Sequence, residues 1–142
     1  RGRLVKEMLW QRVATDPLDA EALTRLGMVV WAEDSPSEAW DLLERAVRAR
    51  PDLAEAHHNK GVFLRMTGRP AEARRELETA LRLDARHPGT HQQLGFALAS
   101  LGRIADAERS FQMALEVDPT DTLAREGLAE LRQAVRARQR AQ

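Results

Sequence analysis

Four histidines are the side chains of this 142-residue sequence with the clearest capacity for chemistry. Catalysis or metal binding would require them to converge with carboxylates at ligand spacing. His87 and His91 are four residues apart, but Pro88 lies between them and is expected to begin a helix, so the two rings would not share a helical face. No carboxylate recurs beside the histidines at ligand spacing. The sequence therefore predicts no catalytic residue, no metal site and no cofactor, and hence not an enzyme.

The histidines belong to a segment that occurs twice. Residues 54–87 and 88–121 align without a gap, and the alignment pairs small residues with small residues and large apolar residues with large apolar residues. The pairs are Gly61 with Gly95, Leu64 with Leu98, Gly68 with Gly102, Ala73 with Ala107, Leu77 with Phe111, Ala80 with Ala114 and Leu81 with Leu115. A period of 34 residues with two helical halves indicates an array of helical repeats.

A third and more divergent unit covers residues 20–53. It keeps the apolar and small positions of the other two at Leu26, Gly27, Val30, Ala39, Leu43, Ala46, Val47 and Pro51. Ser35 and Pro36 predict the start of its second helix, as an N-cap followed by a proline at the first helical position. Asp34 stands where the other units have glycine, which predicts a different backbone shape for this turn.

The glycines at equivalent places predict close helix packing. Gly27, Gly61 and Gly95 lie inside the first helix of each unit, where glycine costs about 1 kcal/mol relative to alanine. Three glycines in one register indicate that a second helix, with Ala39 or its counterparts, approaches closely enough to offset this cost.

Each end of the chain predicts one more helix. Residues 1–19 form a half unit in which Val5, Leu9 and Val13 take packing positions, while Arg12 stands where complete units have alanine. Residues 122–142 form a C-terminal capping helix. Its apolar face consists of Ala124, Leu128, Leu131 and Val135. Because the chain opens at Arg1 rather than methionine, the sequence favours a segment of a longer protein.

The units resemble tetratricopeptide repeats (TPRs), through L-G-x-x-L, a turn glycine, A-x-x-x-F/L-x-x-A-L and D-P. The resemblance implies an all-α, right-handed superhelix of three units, 20–53, 54–87 and 88–121, that binds a protein or peptide without chemistry of its own. It also implies that His57 and His91 are packing residues. Lys60 replaces the packing leucine of the other units, so we expect its stem to pack and its ammonium group to reach a glutamate or a carbonyl.

In arrays of this kind the first helices line a concave groove that binds the partner. The positions that point into it are Thr24, Arg25, Met28 and Trp31 in the first unit, His58, Asn59, Val62, Arg65 and Met66 in the second, and Gln92, Gln93 and Phe96 in the third. One TPR subclass grips a terminal carboxylate with lysine, asparagine and arginine. Its positions here hold Thr24, Met28, Gly89, Gln93 and a single matching Asn59, so the sequence does not predict binding of acidic chaperone tails.

Composition excludes several other function classes. Lys+Arg and Asp+Glu balance at 22 each, whereas binding to nucleic acid or an anionic membrane requires a basic surplus. No apolar run approaches the length of a membrane span, and without cysteine the compartment stays open, with a soluble, cytoplasmic monomer favoured over a homodimer. Two other functions remain: a substrate-selecting region of a multidomain enzyme, and a self-assembling structural solenoid.

Overall fold

The computed structural model describes residues 2–142, so Arg1 lies outside the described residues. Over this range the chain forms eight α-helices and no strand, which confirms the all-α prediction. The helices are α1 Gly2–Thr15, α2 Ala20–Ala32, α3 Pro36–Ala49, α4 Ala54–Met66, α5 Pro70–Leu83, α6 Thr90–Ser100, α7 Ile104–Val117 and α8 Thr122–Ala141.

Local residues set where several helices begin. The Asp19 carboxylate accepts a hydrogen bond from the backbone N–H of Ala22 at 3.1 Å, and the Asp121 carboxylate accepts one from Ala124 at 3.0 Å. Each bond satisfies a donor that has no partner within its helix. Pro36 occupies the first position of α3, as the sequence predicts, because the missing N–H is not needed there.

The turn inside each unit has the same backbone shape, which corrects one prediction. Asp34 has a φ of 63°, beside 83° for Gly68 and 75° for Gly102. In the first of these turns the Ser35 N–H donates to the Val30 carbonyl at 3.2 Å, as a Schellman motif requires. The prediction that Asp34 gives its turn a different shape is therefore wrong, because aspartate is one of the few residues that tolerate left-handed backbone.

The turn before α6 corrects a second prediction. Pro88 does not begin the helix: Gly89 follows it with a φ of 76°, and α6 begins at Thr90. The left-handed glycine lets the chain enter the helix two residues later than the sequence predicts. His87 thus precedes α6 whereas His91 lies within it, so the two histidines share no helical face.

The helices pack as a continuous chain of pairs. α2 packs on α3, α4 on α5 and α6 on α7, and each second helix also contacts the first helix that follows it. The first helices contact one another in order, α2 with α4, α4 with α6 and α6 with α8. This arrangement is the right-handed superhelix that the sequence predicts.

Close packing inside each unit depends on glycine. A Cβ atom added to Gly61 would lie 2.7 Å from the side chain of Leu77, and one added to Gly95 would lie 2.7 Å from Phe111. At Gly27 the corresponding distance to Leu43 is 3.0 Å. Real Cβ atoms essentially never lie as close as the contacts at Gly61 and Gly95, so a side chain there would require Leu77 or Phe111 to shift. At Gly27 a shift of a few tenths of an ångström in Leu43 would suffice.

The two ends differ in how well the predicted faces are covered. In α8 the side chains of Leu128 and Leu131 are buried, as predicted. In α1 the side chains of Leu9 and Val13 are buried against α2, but Val5 is 51% exposed. The prediction that Val5 takes a packing position is therefore wrong within residues 2–142, because no helix in that range covers its side of α1.

Candidate interaction surface on the first helices

An apolar column runs across the three first helices. Met28 in α2, Val62 in α4 and Phe96 in α6 occupy equivalent places in the repeat, and all three side chains are half-buried. Each first helix contacts the next, so the three residues lie on consecutive, touching elements. A side chain that is partly covered by its neighbours and partly open to solvent presents a fixed apolar surface to a ligand.

Side-chain hydrogen bonds connect the C-terminal half of this surface. The Arg65 guanidinium donates to the amide oxygen of Gln93 at 2.7 Å, and its carbon lies 5.2 Å from the ring centroid of Phe96. Burial lowers the pKa of Arg65, which stays charged. The Gln93 amide donates to Gln92 at 2.9 Å, and the Gln92 amide donates to Asp121 at 2.7 Å. The chain of bonds therefore joins α4, α6 and the start of α8.

These bonds change the role of two predicted residues. Gln92 is buried and its amide group is already bonded on both sides, so it positions Gln93 and Asp121. Arg65 holds its position over Phe96 through the bond to Gln93, which leaves part of the guanidinium facing outward. These bonds hold Arg65, Gln92 and Gln93 in place relative to one another.

His58 joins α4 to α6 at one edge of the surface. Its Nδ1 lies 2.8 Å from the Thr90 hydroxyl, which also lies 2.9 Å from Nδ1 of His87. The two imidazole rings are 4.8 Å apart between centroids. Burial, with a smaller contribution from the nearby His87, lowers the pKa of His58 to about 4. His58 is therefore neutral near pH 7 and acts as a hydrogen-bonding connection between units.

The N-terminal half of the surface is more open than the C-terminal half, except at Thr24. Arg25 and Met66 are exposed, and Asn59 is half-buried. Trp31 packs against Phe63 with ring centroids 5.1 Å apart. Thr24, in contrast, is fully buried.

The Thr24 hydroxyl has its hydrogen-bond partner within its own helix. It donates to the carbonyl of Ala20 at 2.7 Å, one turn earlier in α2. The prediction that Thr24 contacts a partner is wrong, because the residue is fully buried.

Sequence reasoning missed an aromatic cluster beside this surface. Trp40 of α3 packs against Phe63 at 5.6 Å between centroids, with the Arg69 guanidinium carbon 5.0 Å and the Lys60 ammonium nitrogen 5.3 Å from its ring. Trp40 has no aromatic counterpart in the other units, so the repeat gave no signal for it. The one indication in the sequence was that a tryptophan occupies a repeat position whose residue differs from unit to unit.

The polar groups between α3, α4 and α5 form a structural network. The Lys60 ammonium group lies 2.8 Å from Glu44 and 3.7 Å from Glu76, which confirms that it reaches a glutamate. His57 is buried, with Nε2 2.7 Å from the Pro51 carbonyl and Nδ1 3.4 Å from Glu76. The bond to Glu76 raises the pKa of His57 despite burial. This network confirms the packing role predicted for His57.

Two further classes of site receive no support from the described residues. Within 2–142 no group of three or more histidine, aspartate or glutamate side chains is placed to hold a metal ion. None of the helices described over that range is both long and apolar enough to cross a membrane.

Together, the paired helices and the close-packed glycines define a helical-repeat solenoid with a continuous surface along its first helices. Residues 52–120 match the family model of the tetratricopeptide repeat. Residues 52–120 therefore carry tetratricopeptide repeats, in agreement with the 34-residue alignment of 54–87 with 88–121. Comparison with curated protein sequences gave no match.

Solved structures share the fold across most of the chain. MamA is 20% identical, with a TM-score of 0.79, and the match covers 91% of this chain and 75% of MamA. The first TPR of Spaghetti (RPAP3), solved bound to the HSP90 peptide SRMEEVD, is 21% identical with a TM-score of 0.78 over 82% of this chain and 92% of that one. A mutant O-GlcNAc transferase of Thermobaculum terrenum is 25% identical, with a TM-score of 0.75, over 79% of this chain and 22% of the transferase.

Proposed function

We propose that this chain is a non-catalytic interaction scaffold that binds a partner peptide or helix along its first helices. The observation that carries the proposal is the column of Met28, Val62 and Phe96, half-buried at one repeat position on three touching helices. The structural neighbour solved with a bound peptide supports this kind of function for the fold.

The spacing of the column indicates what a ligand would need. Packed helices lie about 8–10 Å apart, and the second helices between them would set Met28, Val62 and Phe96 somewhat further apart than that. An extended peptide advances about 3.3 Å per residue. A peptide that spans the column would therefore place an apolar side chain at every third or fourth position. The Asn59 amide is free to bond the peptide backbone, and Arg25 favours an acidic residue on one flank.

The same surface does not favour acidic chaperone tails. At the positions that hold the carboxylate in that TPR subclass, this chain has Met28, Gly89 and the engaged Gln93, with Thr24 buried. Asn59 alone matches. The peptide seen in the RPAP3 structure is thus a poor guide to the partner of this chain, although it is a useful negative probe.

Peptide selection from a random displayed library tests the proposal. We expect the selected peptides to share apolar residues at three- or four-residue spacing and to perturb amide resonances around Met28, Val62 and Phe96. Val62→Glu places a charge in the column and should weaken binding at least tenfold. Arg74→Glu is the matched control on α5, where it should have little effect. Full binding by Val62→Glu, or perturbations gathered around Arg74, would contradict the proposal.

A second candidate function has its own supporting observation. The match to a transferase covers only 22% of that enzyme, so a segment with this fold forms a minor part of a much larger chain there. By analogy, this chain would select substrates for a linked catalytic domain. The groove would then bind peptides that the linked catalytic domain modifies. Incubating the selected peptides in the native extract and looking for their modification would test this function.

A further inference from the structure

The apolar column of the first helices has a fourth position on α8, where its chemistry changes. Glu130 lies 34 residues after Phe96 and therefore holds the repeat position of Met28, Val62 and Phe96. α8 contacts α6, and a Cβ atom added to Gly127 would lie 3.1 Å from the Phe96 ring. The fourth position of the column is thus an exposed carboxylate, three residues after the glycine that faces Phe96.

Two more residues of α8 share the exposed stripe with this carboxylate. Leu123, Glu126 and Glu130 follow one another at spacings of three and four residues, so they lie on one face of the helix. Glu126 holds the repeat position of Gln92, whose amide bonds to Asp121 at the start of α8. Leu123 is 52% exposed, and both glutamates are exposed. We call this stripe the acidic end of the groove (Leu123, Glu126 and Glu130).

The charged side chains of α8 are separated by sign. Arg125, Arg132 and Arg136 recur at spacings of seven and four residues and share a different face of the helix. Arg125 donates to the carbonyl of Pro119 at 2.7 Å, and the Arg132 guanidinium lies 3.8 Å from Glu108 on α7. The arginines closest to the third unit are thus engaged by groups outside α8.

The two glutamates, in contrast, have no basic neighbour on their own helix. The residues three and four positions away from one or the other are Thr122, Leu123, Gly127, Ala129, Gln133 and Ala134. Among residues 2–142, no basic side chain lies within ion-pair distance of either carboxylate. Elsewhere in the chain acidic residues of helices pair with arginines three or four residues away, as Glu72 does with Arg69 and Glu78 with Arg74.

Folding gives no reason for this pair of carboxylates. Glu126 and Glu130 are four residues apart on α8, where like charges repel and destabilise the helix. The helix dipole favours acidic residues only in the first turn, and the first turn of α8 contains none. Two uncompensated carboxylates beside the apolar column therefore indicate a cation supplied from outside the fold.

We propose that the acidic end of the groove binds a lysine or arginine of the partner peptide, next to the apolar residue that contacts Phe96. This contact depends on the proposed binding of a peptide along the column. The aliphatic stem of a long basic side chain would lie over the exposed Leu123, and its charged head would reach Glu126 and Glu130. The carboxylates would then accept charge-assisted hydrogen bonds that the described chain does not supply.

The charges at the two ends of the column have opposite sign. Arg25 is exposed at the α2 end, and the nearby Glu21 is paired with Arg50 at 3.6 Å. On α4, between the two ends, Glu55 and Arg65 carry opposite charges. A ligand that spans the column therefore has an acidic residue at one end, a basic residue at the other and apolar residues between them. This order of charges sets the direction in which a given peptide binds.

Peptide selection on two forms of the chain tests the contact. Peptides from one random displayed library are selected in parallel on the unchanged chain and on the Glu126→Gln, Glu130→Gln double variant. We expect both selections to yield apolar residues at three- or four-residue spacing. A lysine or arginine at a fixed distance from them should appear on the unchanged chain only. The double variant should unfold at the same temperature or higher, because it lacks the repulsion between the glutamates.

A single selected peptide then measures the contact. Replacing its basic residue by glutamine should weaken binding about threefold to fivefold in low salt, and the loss should shrink as salt is raised. Glu130→Gln should cause a similar loss. Glu116→Gln is the matched control, because it removes the same charge from an exposed position of α7 and should leave the affinity unchanged. Glu130→Lys should recover affinity for a peptide that carries glutamate in place of its basic residue.

The outcomes separate a failure of this contact from a failure of the proposed function. Selected peptides that perturb the resonances of Met28, Val62 and Phe96 without any preference for a basic residue would overturn the contact alone. An equal effect of Glu116→Gln would also overturn it, since net charge would then explain the preference. A lower unfolding temperature of the double variant would do the same by giving the carboxylates a role in folding. If no selected peptide perturbs the column on either form of the chain, the groove function and the contact both fail.

Discussion

At the scale of single residues, His57 and His58 respond to acid in opposite ways. His58, bonded to the Thr90 hydroxyl, has its pKa lowered to about 4 from 6.5 by burial and by His87. The unfolded chain therefore binds a proton between about pH 6.5 and pH 4 while the folded chain does not. Stability falls as the pH falls through this interval, by up to about 3 kcal/mol.

His58→Gln should remove this loss of stability. Glutamine can still bond to Thr90 but does not titrate, so the free energy of unfolding should fall less between about pH 6.5 and pH 4 than in the unchanged chain. Urea denaturation at a series of pH values measures the difference. Parallel curves for the two proteins across that interval would show that His58 is protonated without cost.

His57→Gln is the comparison of opposite sign. The hydrogen bond to Glu76 raises the pKa of His57, so its stabilising effect is fully present below about pH 6.5 and is lost as the pH rises through the higher folded value. Replacing His57 should therefore cost most on the acid side. The difference in unfolding free energy between the two chains should shrink as the solution becomes alkaline.

Gly61 shows how one absent methyl group sets the distance between helices. Gly61→Ala would place a Cβ atom 2.7 Å from the Leu77 side chain, and overpacking of this kind costs about 1–3 kcal/mol. The better helix propensity of alanine returns only about 1 kcal/mol. We expect net destabilisation in urea. The penalty should nearly vanish in a Leu77→Ala background, and an equal penalty there would place the clash elsewhere.

At the scale of elements, the turn between the two helices of a unit is the most regular feature after the helices. Asp34, Gly68 and Gly102 all adopt left-handed backbone, and only glycine does so without steric cost. Asp34→Gly should therefore stabilise the chain by roughly 0.5–1 kcal/mol, partly offset by the greater freedom of the unfolded chain.

Gly68→Ala is the reciprocal change and should destabilise by about 1 kcal/mol, since alanine is strained at a φ of 83°. Thermal unfolding of both variants tests the pair. A loss of stability in Asp34→Gly would mean that the aspartate side chain contributes more than its backbone costs.

The elements also show how much of the packing could be predicted from the sequence. Positions that recur in every unit, such as Ala73 and Leu77, were placed correctly because three copies repeat the same packing. Trp40 was missed because its contacts with Phe63 and Arg69 are tertiary and occur in one unit only. Thr24 was misplaced because its position in α2 is fully covered in the folded chain, and its hydroxyl bonds to its own helix.

Among the predicted binding residues, some features could be predicted from the sequence and others could not, for the same reason. Half-burial of Met28, Val62 and Phe96 follows from helical register, which the sequence encodes locally. The bond from Gln92 to Asp121 depends on where the next helix begins, 29 residues later. Such contacts between units involve non-repeated polar side chains, so no periodic pattern in the sequence predicts them.

At the scale of the whole molecule, the helices in the middle of the solenoid pack on more neighbours than the helices at its ends. α4 and α5 each pack on elements before and after them, whereas α1 packs on α2 alone within the described chain. Beyond Leu131, the side chains of α8 are exposed apart from the half-buried Val135. Because each unit contacts only its neighbours, stability should depend on position along the array.

Native-state hydrogen exchange should therefore show graded protection. We expect the slowest amide exchange in α4 and α5, around Leu64 and Leu77, and progressively faster exchange towards α1 and the last turns of α8. Low concentrations of urea should open α1 first, since losing it removes one interface, whereas opening α4 breaks contacts with α2, α3, α5 and α6. Uniform protection along the chain would show a single cooperative unit, and it would mean that coupling between neighbouring units outweighs the difference in their local contacts.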